Sequence, residues 1–137
     1  MTQNNAENKL LYPKESYLIR GACFELYKEV GSGHKESVYQ KGLEVKLINT
    51  GLRVEREVRI PVRVDGKLVG SYTPDFVINE SILAELKAKS MLTKQDIQQF
   101  WHYLRATNYK LGFLVNFGKP GGVQIIRRVY DTARRKK

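Results

Sequence analysis

The chain is expected to fold as a single α/β domain in which helices flank a mixed central β-sheet, and three observations point there. Two stretches carry apolar residues at helical spacing before any strand pattern begins. The period then switches to two over residues 53–88, and one more helical stripe precedes two further apolar runs. With 137 residues, 42% of them hydrophobic, the chain is long enough for one core and too short for two.

Pro13 suits a helix start, and Ile19, Ala22, Cys23, Leu26 and Val30 recur at helical spacing up to the stop Gly31-Ser32-Gly33. A second helix is predicted from about residue 34 to Thr50, with Tyr39, Leu43 and Leu47 on one stripe and Gly51 behind it. From Arg53 to Val64, Val54, Val58, Ile60, Val62 and Val64 alternate with charged residues, the pattern of one strand with a wet face. Asp65-Gly66 supplies the positive φ values of a tight hairpin turn, which returns the chain through Leu68 to Ile78. Asn79-Glu80-Ser81 then turns it into a third strand, Ile82 to Ala88. Thr93 is placed to cap a third helix ending near Thr107, with Ile97, Phe100, Trp101 and Leu104 as its buried stripe. Leu111 to Phe117 reads as a central strand, and Val123 to Tyr130 as a last one after Lys119-Pro120-Gly121-Gly122. The predicted order is α, α, β, β, β, α, β, β, with residues 1–12 a flexible segment, 13–130 the domain and 131–137 a basic tail.

Lys and Arg number 24 against 14 Asp and Glu, a formal charge of +10 and a pI near 9.8. Such a surplus points to a polyanionic partner, nucleic acid first, because each cation that meets a phosphate releases condensed counterions. The plainer reading of part of it is a solubilising tail, Arg134 to Lys137. No apolar run approaches the roughly 18 residues that span a bilayer, and the N-terminus lacks the layout of a signal peptide, so a cytoplasmic protein with no membrane partner is expected. Cys23 is the one cysteine, which leaves no internal disulfide and no cysteine zinc cage. His34 and His102 are too few for a His-rich metal site.

The informative stretch runs from Tyr72 to Lys87. If Asn79-Glu80-Ser81 is a three-residue loop, Ile78 pairs with Ile82 and Asp75 falls opposite Glu85, on one sheet face with Cβ atoms about 4.5 to 5.5 Å apart. Lys87 lies on that face one pleat further on. Two acids so placed call for a cation between them. Hard carboxylate oxygens suit Mg²⁺ or Mn²⁺, which keep several waters and also bind a phosphate oxygen. Such an ion lowers the pKa of its water and neutralises charge growing on the phosphate, while a lysine positions or helps deprotonate that water. This is the logic of phosphodiester hydrolysis. The alternative is a pair of structural ion bridges, Lys87 with Glu85 and Asp75 with Arg56, the second arising if the hairpin register survives a bulge at Pro61. Glu36 falls on the stripe of Tyr39, Leu43 and Leu47, which aims a carboxylate inward and calls for pairing or a metal. Its alternative is a first-turn acid that complements the helix dipole.

Gly33-His34-Lys35-Glu36-Ser37-Val38-Tyr39 matches the pattern G-x-x-E-x-x-Y, and Pro74-Asp75, Glu85-Leu86-Lys87 and Gln99-Phe100-Trp101-His102-Tyr103 come after it in order. Through these the chain resembles the GxxExxY proteins of the PD-(D/E)XK nuclease superfamily, over roughly residues 13–130. The resemblance implies a restriction-endonuclease-like core, α-β-β-β-α-β, with an extra N-terminal helix and a C-terminal strand. It also implies Asp75 and Glu85 as metal ligands, Glu36 as an additional acidic ligand and Lys87 as the catalytic lysine. Gln99 and Tyr103 would match the Q-x-x-x-Y element of RecB-like nucleases, although by periodicity Gln99 lies nearly opposite the buried stripe of its helix.

Tyr72, Trp101 and Tyr109 are candidates for stacking on bases, while Trp101 fits the core and Cys23 is expected to be buried and inert. The implied activity is metal-dependent hydrolysis of nucleic acid with Mg²⁺ or Mn²⁺, DNA ahead of RNA. The alternatives are a nucleic-acid-binding module or an interaction subunit that keeps the fold without turnover. In so small a chain, a homodimer or a partner protein would complete the substrate site.

Overall fold

Proline has no N–H for a first helical turn to leave unbonded, and α1 (Pro13–Val30) begins on Pro13. The computed structural model describes residues 11–130, so the expectations for residues 1–10 and for the basic tail 131–137 lie outside the described residues. Ile19, Ala22, Cys23 and Leu26 are buried as their spacing predicts. The chain then turns at Gly31 and Gly33, whose φ values of 72° and 97° favour residues without a side chain. α2 (Glu36–Asn49) buries Tyr39, Leu43 and Leu47 against α1 and one face of the sheet. Tyr39 holds this corner together. Its hydroxyl donates to the Gly31 carbonyl at 2.6 Å and accepts from the His34 amide at 3.3 Å, and its ring stacks on Phe117 at 4.6 Å. Among the described residues no helix is long and apolar enough to cross a membrane.

The alternation over residues 53–64 is not one strand. Glu57 takes a positive φ of 55° and its amide donates to the Asp75 carbonyl at 3.2 Å, which separates β1 (Val54–Arg56) from β2 (Ile60–Val64). The returning segment breaks too, at Thr73-Pro74-Asp75, into β3 (Lys67–Tyr72) and β4 (Phe76–Ile78). Pro74 has no N–H to give a ladder, so the strand stops there. β2 and β3 form a separate two-stranded sheet closed by Asp65 and Gly66, both at positive φ, whereas β1 and β4 join the main sheet. Three predicted strands before the third helix are therefore five. The hairpin register also slips by one residue at a bulge between Val62 and Arg63, and Arg56 faces Phe76 rather than Asp75.

The main sheet has five strands in the order β1-β4-β5-β6-β7, where β5 is Ile82–Lys87, β6 is Leu111–Asn116 and β7 is Gln124–Val129. β5 and β6 are parallel and joined by α3 (Lys94–Thr107); the other pairs are antiparallel. This is the mixed sheet expected. β6 is buried at every position, as its apolar run predicts, but the middle strand is β5. α1 and α2 cover one face, where Phe76, Ile78, Ala84, Leu86 and Phe113 meet them. α3 covers the other, packing Phe100 and Leu104 on Leu83 and Leu114, while Ile97 and Trp101 of its predicted stripe are half-buried. Thr93 and Asp96 form a capping box at its start.

Tyr39→Phe removes both bonds of the hydroxyl and leaves the fold's apolar packing in place. The expected loss is about 1–2 kcal/mol, at roughly 1 kcal/mol or less per bond, read as a lower urea midpoint. An unchanged midpoint would mean that the tether contributes nothing.

Candidate active site

The β4·β5 ladder ends at the rung Phe76↔Ala84, with Ile78 facing Ile82 as the three-residue loop predicts. One position beyond that rung, Asp75 and Glu85 lace the strand ends together. Asp75 Oδ2 accepts the Leu86 amide at 2.7 Å, and Glu85 Oε1 accepts the Asp75 amide at 3.3 Å and the Tyr72 hydroxyl at 3.0 Å. From α2, Gln40 reaches the same place: its Nε2 donates to Asp75 Oδ1 at 2.9 Å and to Glu36 Oε2 at 3.2 Å. The amide group has two hydrogens, and each carboxylate takes one.

Three acids gathered this way hold their protons above the ordinary carboxylate range. Burial pushes Glu85 up to about 7, helped by the charge of Asp75 and opposed by its bonds to Tyr72 and the Asp75 amide and by Lys87. Burial raises Asp75 as well, against the Leu86 amide, Arg56, Lys87 and Gln40. Glu36 is exposed at the first turn of α2 rather than aimed into the core, yet partial desolvation and then the Asp75 charge raise it too. Tyr72 is buried, and that burial and Glu85 raise its hydroxyl, so it remains a donor.

Lys87 is half-buried on the face of Glu85 and makes no ion pair within 4.0 Å among the described residues. Arg56 pairs with Glu44 at 3.1 Å and Glu57 at 3.7 Å instead of Asp75. Neither of the structural ion bridges that would have explained the acids away is built. The backbone around Lys87 is clamped by Asn116, fully buried: its Oδ1 accepts the Lys89 amide and its Nδ2 donates to the Lys89 carbonyl, both at 2.9 Å. The Phe117 amide adds a bond to the Lys87 carbonyl at 3.0 Å. At Gly118 a Cβ would strike the Ala88–Lys89 backbone, so only glycine fits. Lys89 pairs with Asp96 at 2.7 Å, and that bond holds Asp96 down to about 2.

From the other side α3 brings Tyr103, whose ring stacks on Tyr72 with centroids 4.0 Å apart. Gln99 is exposed, as periodicity requires, with Nε2 3.5 Å from the Tyr103 hydroxyl. Even so it lines, with Tyr72, Glu85, Lys87 and Tyr103, a small cavity of about 20 Å³. Asp75, Glu85, Lys87, Gln99 and Tyr103 thus meet at one strand end, and Glu36 joins them through Gln40. Tyr72, a candidate base stacker, is 6% exposed and already stacked; it serves Glu85 instead. Trp101 is half-buried with its ring edge-on to Tyr130 at 5.7 Å, Tyr109 is half-buried, and Cys23 is buried with its thiol pushed up to about 12.

Among the described residues no three His, Cys, Asp or Glu side chains stand close enough to hold an ion by themselves. Asp75 and Glu85 adjoin across the strand end, and a magnesium-type ion that keeps several waters needs only one or two carboxylates. Mutual repulsion within the acid group, relieved by a cation, fits such an ion as well.

The family model of the PD-(D/E)XK nuclease superfamily matches residues 13–129, and the chain belongs to that superfamily. No curated protein matches it. Among solved structures, SSO0001 is similar at a TM-score of 0.53 and 24% identity, covering 72% of this chain and 52% of its own. The chain therefore spans about half the length of that protein, and the likeness is one of fold. An alkaline exonuclease (LHK-Exo) from Laribacter hongkongensis gives a TM-score of 0.46 at 16% identity over 92% of this chain and 74% of that one. Its complex with dAMP gives 0.45 at 18%, over 90% and 72%.

With divalent ions chelated, the folded protein keeps a proton on Glu85 that the unfolded chain has released between pH 4.5 and about 7. More protons bound in the folded state mean that stability falls as pH rises through this window and levels off above it. Thermal melts in EDTA at about pH 5 and about pH 8 are expected to show that loss, and Glu85→Gln is expected to shrink it. An identical pH dependence in the variant would contradict the assignment.

Proposed function

We propose that the chain is a nuclease that hydrolyses phosphodiester bonds of nucleic acid, DNA ahead of RNA, with Mg²⁺ or Mn²⁺ held by Asp75 and Glu85. One observation carries the reading: two carboxylates are laced by backbone amides across a strand end, with a lysine on their face that makes no ion pair among the described residues. When bound, the divalent ion polarises the scissile phosphate and lowers the pKa of a water.

The remaining work belongs to the chain. The Leu86 amide and Gln40 orient Asp75, while the Tyr72 hydroxyl and the Asp75 amide orient Glu85. Lys87 positions the attacking water, whose oxygen bonds to phosphorus as the bond to the leaving oxygen breaks. Glu36, expected from the resemblance as an additional acidic ligand, is held by Gln40 at the α2 side, where its charge adds to the site's pull on a cation without joining the two carboxylates on the ion, and Gln99 and Tyr103 meet the substrate from α3. The formal charge of +10 supplies phosphate contacts. The motif from Gly33 to Tyr39 supports a place among the GxxExxY proteins. A cytoplasmic setting, a domain bounded at residues 13 and 130, and completion of the substrate site by a second copy or a partner protein belong to the same reading.

The test is cleavage of labelled single- and double-stranded DNA and RNA by wild type, Lys87→Ala and Glu85→Ala with Mn²⁺, Mg²⁺ or EDTA. Wild type is expected to cut only with metal, and Lys87→Ala to lose about 100-fold or more. Glu85→Ala is expected to lose turnover and keep salt-sensitive binding. A well-folded wild type that binds but cuts nothing would make the chain a binding module, and loss of binding together with turnover in Glu85→Ala would make the acids structural. Separately, Mn²⁺ is expected to raise the melting temperature more at about pH 8 than at about pH 5, because protons compete for the same oxygens. An equal rise at both would place the ion elsewhere.

A further inference from the structure

Apart from Tyr72 at its base, the β2·β3 hairpin takes no part in the chemistry above, yet it is built in an unusual way. Its base is buried at Ile60 and Tyr72, and from Pro61 to Ser71 every residue except Val62 is exposed. Val64, Leu68 and Val69 are 57%, 62% and 61% exposed, more apolar surface than a bare ribbon has reason to show to water. Arg59, Arg63 and Lys67 form no ion pair among the described residues, and Asp65 in the turn is the hairpin's lone acid. Arg59 is held along the ribbon by its Nε bond to Ser71 Oγ at 3.1 Å. Arg59, Arg63, Leu68 and Val69 line one concave face of about 410 Å³. The same hairpin ends at Tyr72, whose hydroxyl donates to Glu85.

We infer that this hairpin is a groove probe that lies in the major groove of a DNA duplex beside the scissile bond, with Arg59, Arg63 and Lys67 on the phosphates. The inference rests on the nuclease reading and names the substrate class of that site. Charge decides the class of partner: three cations without an ion pair among the described residues, beside exposed aliphatic groups, complement a polyanion that also offers apolar edges. The major groove of B-form DNA, about 12 Å wide, admits a two-stranded ribbon and presents thymine methyls to aliphatic side chains. The major groove of A-form RNA is too deep and narrow for side chains to read. At about 3.3 Å per residue, the five residues of β2 reach about 17 Å from the base of the hairpin. That is about five base pairs at roughly 3.4 Å each, so the tip grips the duplex about half a turn from the bond at Glu85.

The test is binding of labelled duplex DNA, single-stranded DNA and duplex RNA by the full chain in EDTA, followed by fluorescence anisotropy between about 50 and 200 mM salt. Wild type is expected to favour duplex DNA. The variant Arg59→Ala/Arg63→Ala/Lys67→Ala is expected to lose that preference, and its slope of log K against log salt to fall by about 2 to 3 for three lost phosphates. If circular dichroism finds the triple variant unfolded, Arg63→Glu at an exposed position replaces it, with an expected slope change of about 1 or more. Equal wild-type affinity for all three nucleic acids, or an unchanged slope in a folded variant, would overturn the inference. So would a dimer that dissociates in the variant while duplex affinity stays the same, which would assign the face to a second copy of the chain. Binding in EDTA is independent of turnover: a wild type that never cuts but needs the hairpin to bind duplex DNA would strike the catalytic reading alone.

Discussion

Pro74 cannot donate to a β-ladder, and the site grows from that missing N–H. The register of β4 against β5 would carry Pro74 to a place opposite Leu86, where an antiparallel pair would continue. The chain leaves instead, and Asp75 turns its own carboxylate onto the Leu86 amide. A side chain thus takes the role of a main-chain carbonyl, which fixes its position as firmly as a strand residue while leaving the carboxyl group at the sheet's end. The same break frees β3 to pair only with β2, so one proline both aims the acid and detaches the hairpin.

Aiming the acids inward creates an electrostatic conflict that the fold accepts. Glu85 and Asp75 are driven toward their neutral forms by burial, Glu36 is pushed the same way, and among the described residues no arginine or lysine is close enough to pair with any of the three. Hydrophobic packing around them is complete: Leu86, Phe76 and Phe113 are wholly buried directly behind. A core this well filled has the means to offset a destabilised acid group, and nothing in the packing requires those acids. Their presence is best understood through charge that arrives with a ligand. Gln40 serves this purpose without supplying charge, because it spaces Glu36 from Asp75 by donating one hydrogen bond to each.

Legibility in the sequence tracks the strength of local constraints. The three-residue loop Asn79-Glu80-Ser81 fixes its register within a few bonds, so the meeting of Asp75 and Glu85 is readable. The strand breaks are not. Val54 and Ile60 keep the same alternation across Glu57, and the positive φ there falls on a glutamate, which announces no turn. Pro74 reads as part of a motif rather than as the end of a ladder. Gln40 stands one helical turn after Glu36, a spacing that puts both on one face, but a glutamine on a wet helix edge resembles ordinary surface. Asn116 ends an apolar run and passes for part of its strand, although a buried amide that finds a partner for both of its ends is a clamp. Gln99 is assigned to the surface by periodicity and stands there, yet the surface at that point is the rim of the site.

Tyr72 joins the two halves of the molecule that the proline separates. It closes β3 at the hairpin's base, stacks on Tyr103 of α3 and donates to Glu85, so three elements converge on one ring and one hydroxyl. Glu85 itself sits on the middle strand of the sheet, one position past its last rung with β4 and paired with Leu114 of β6. The Tyr72 hydroxyl bond is thus a direct link between the hairpin's base and the Glu85 carboxyl group. Phenylalanine at this position would preserve the stack and the buried area while cutting that single link, which separates the mechanical role of the ring from the electrostatic role of the oxygen.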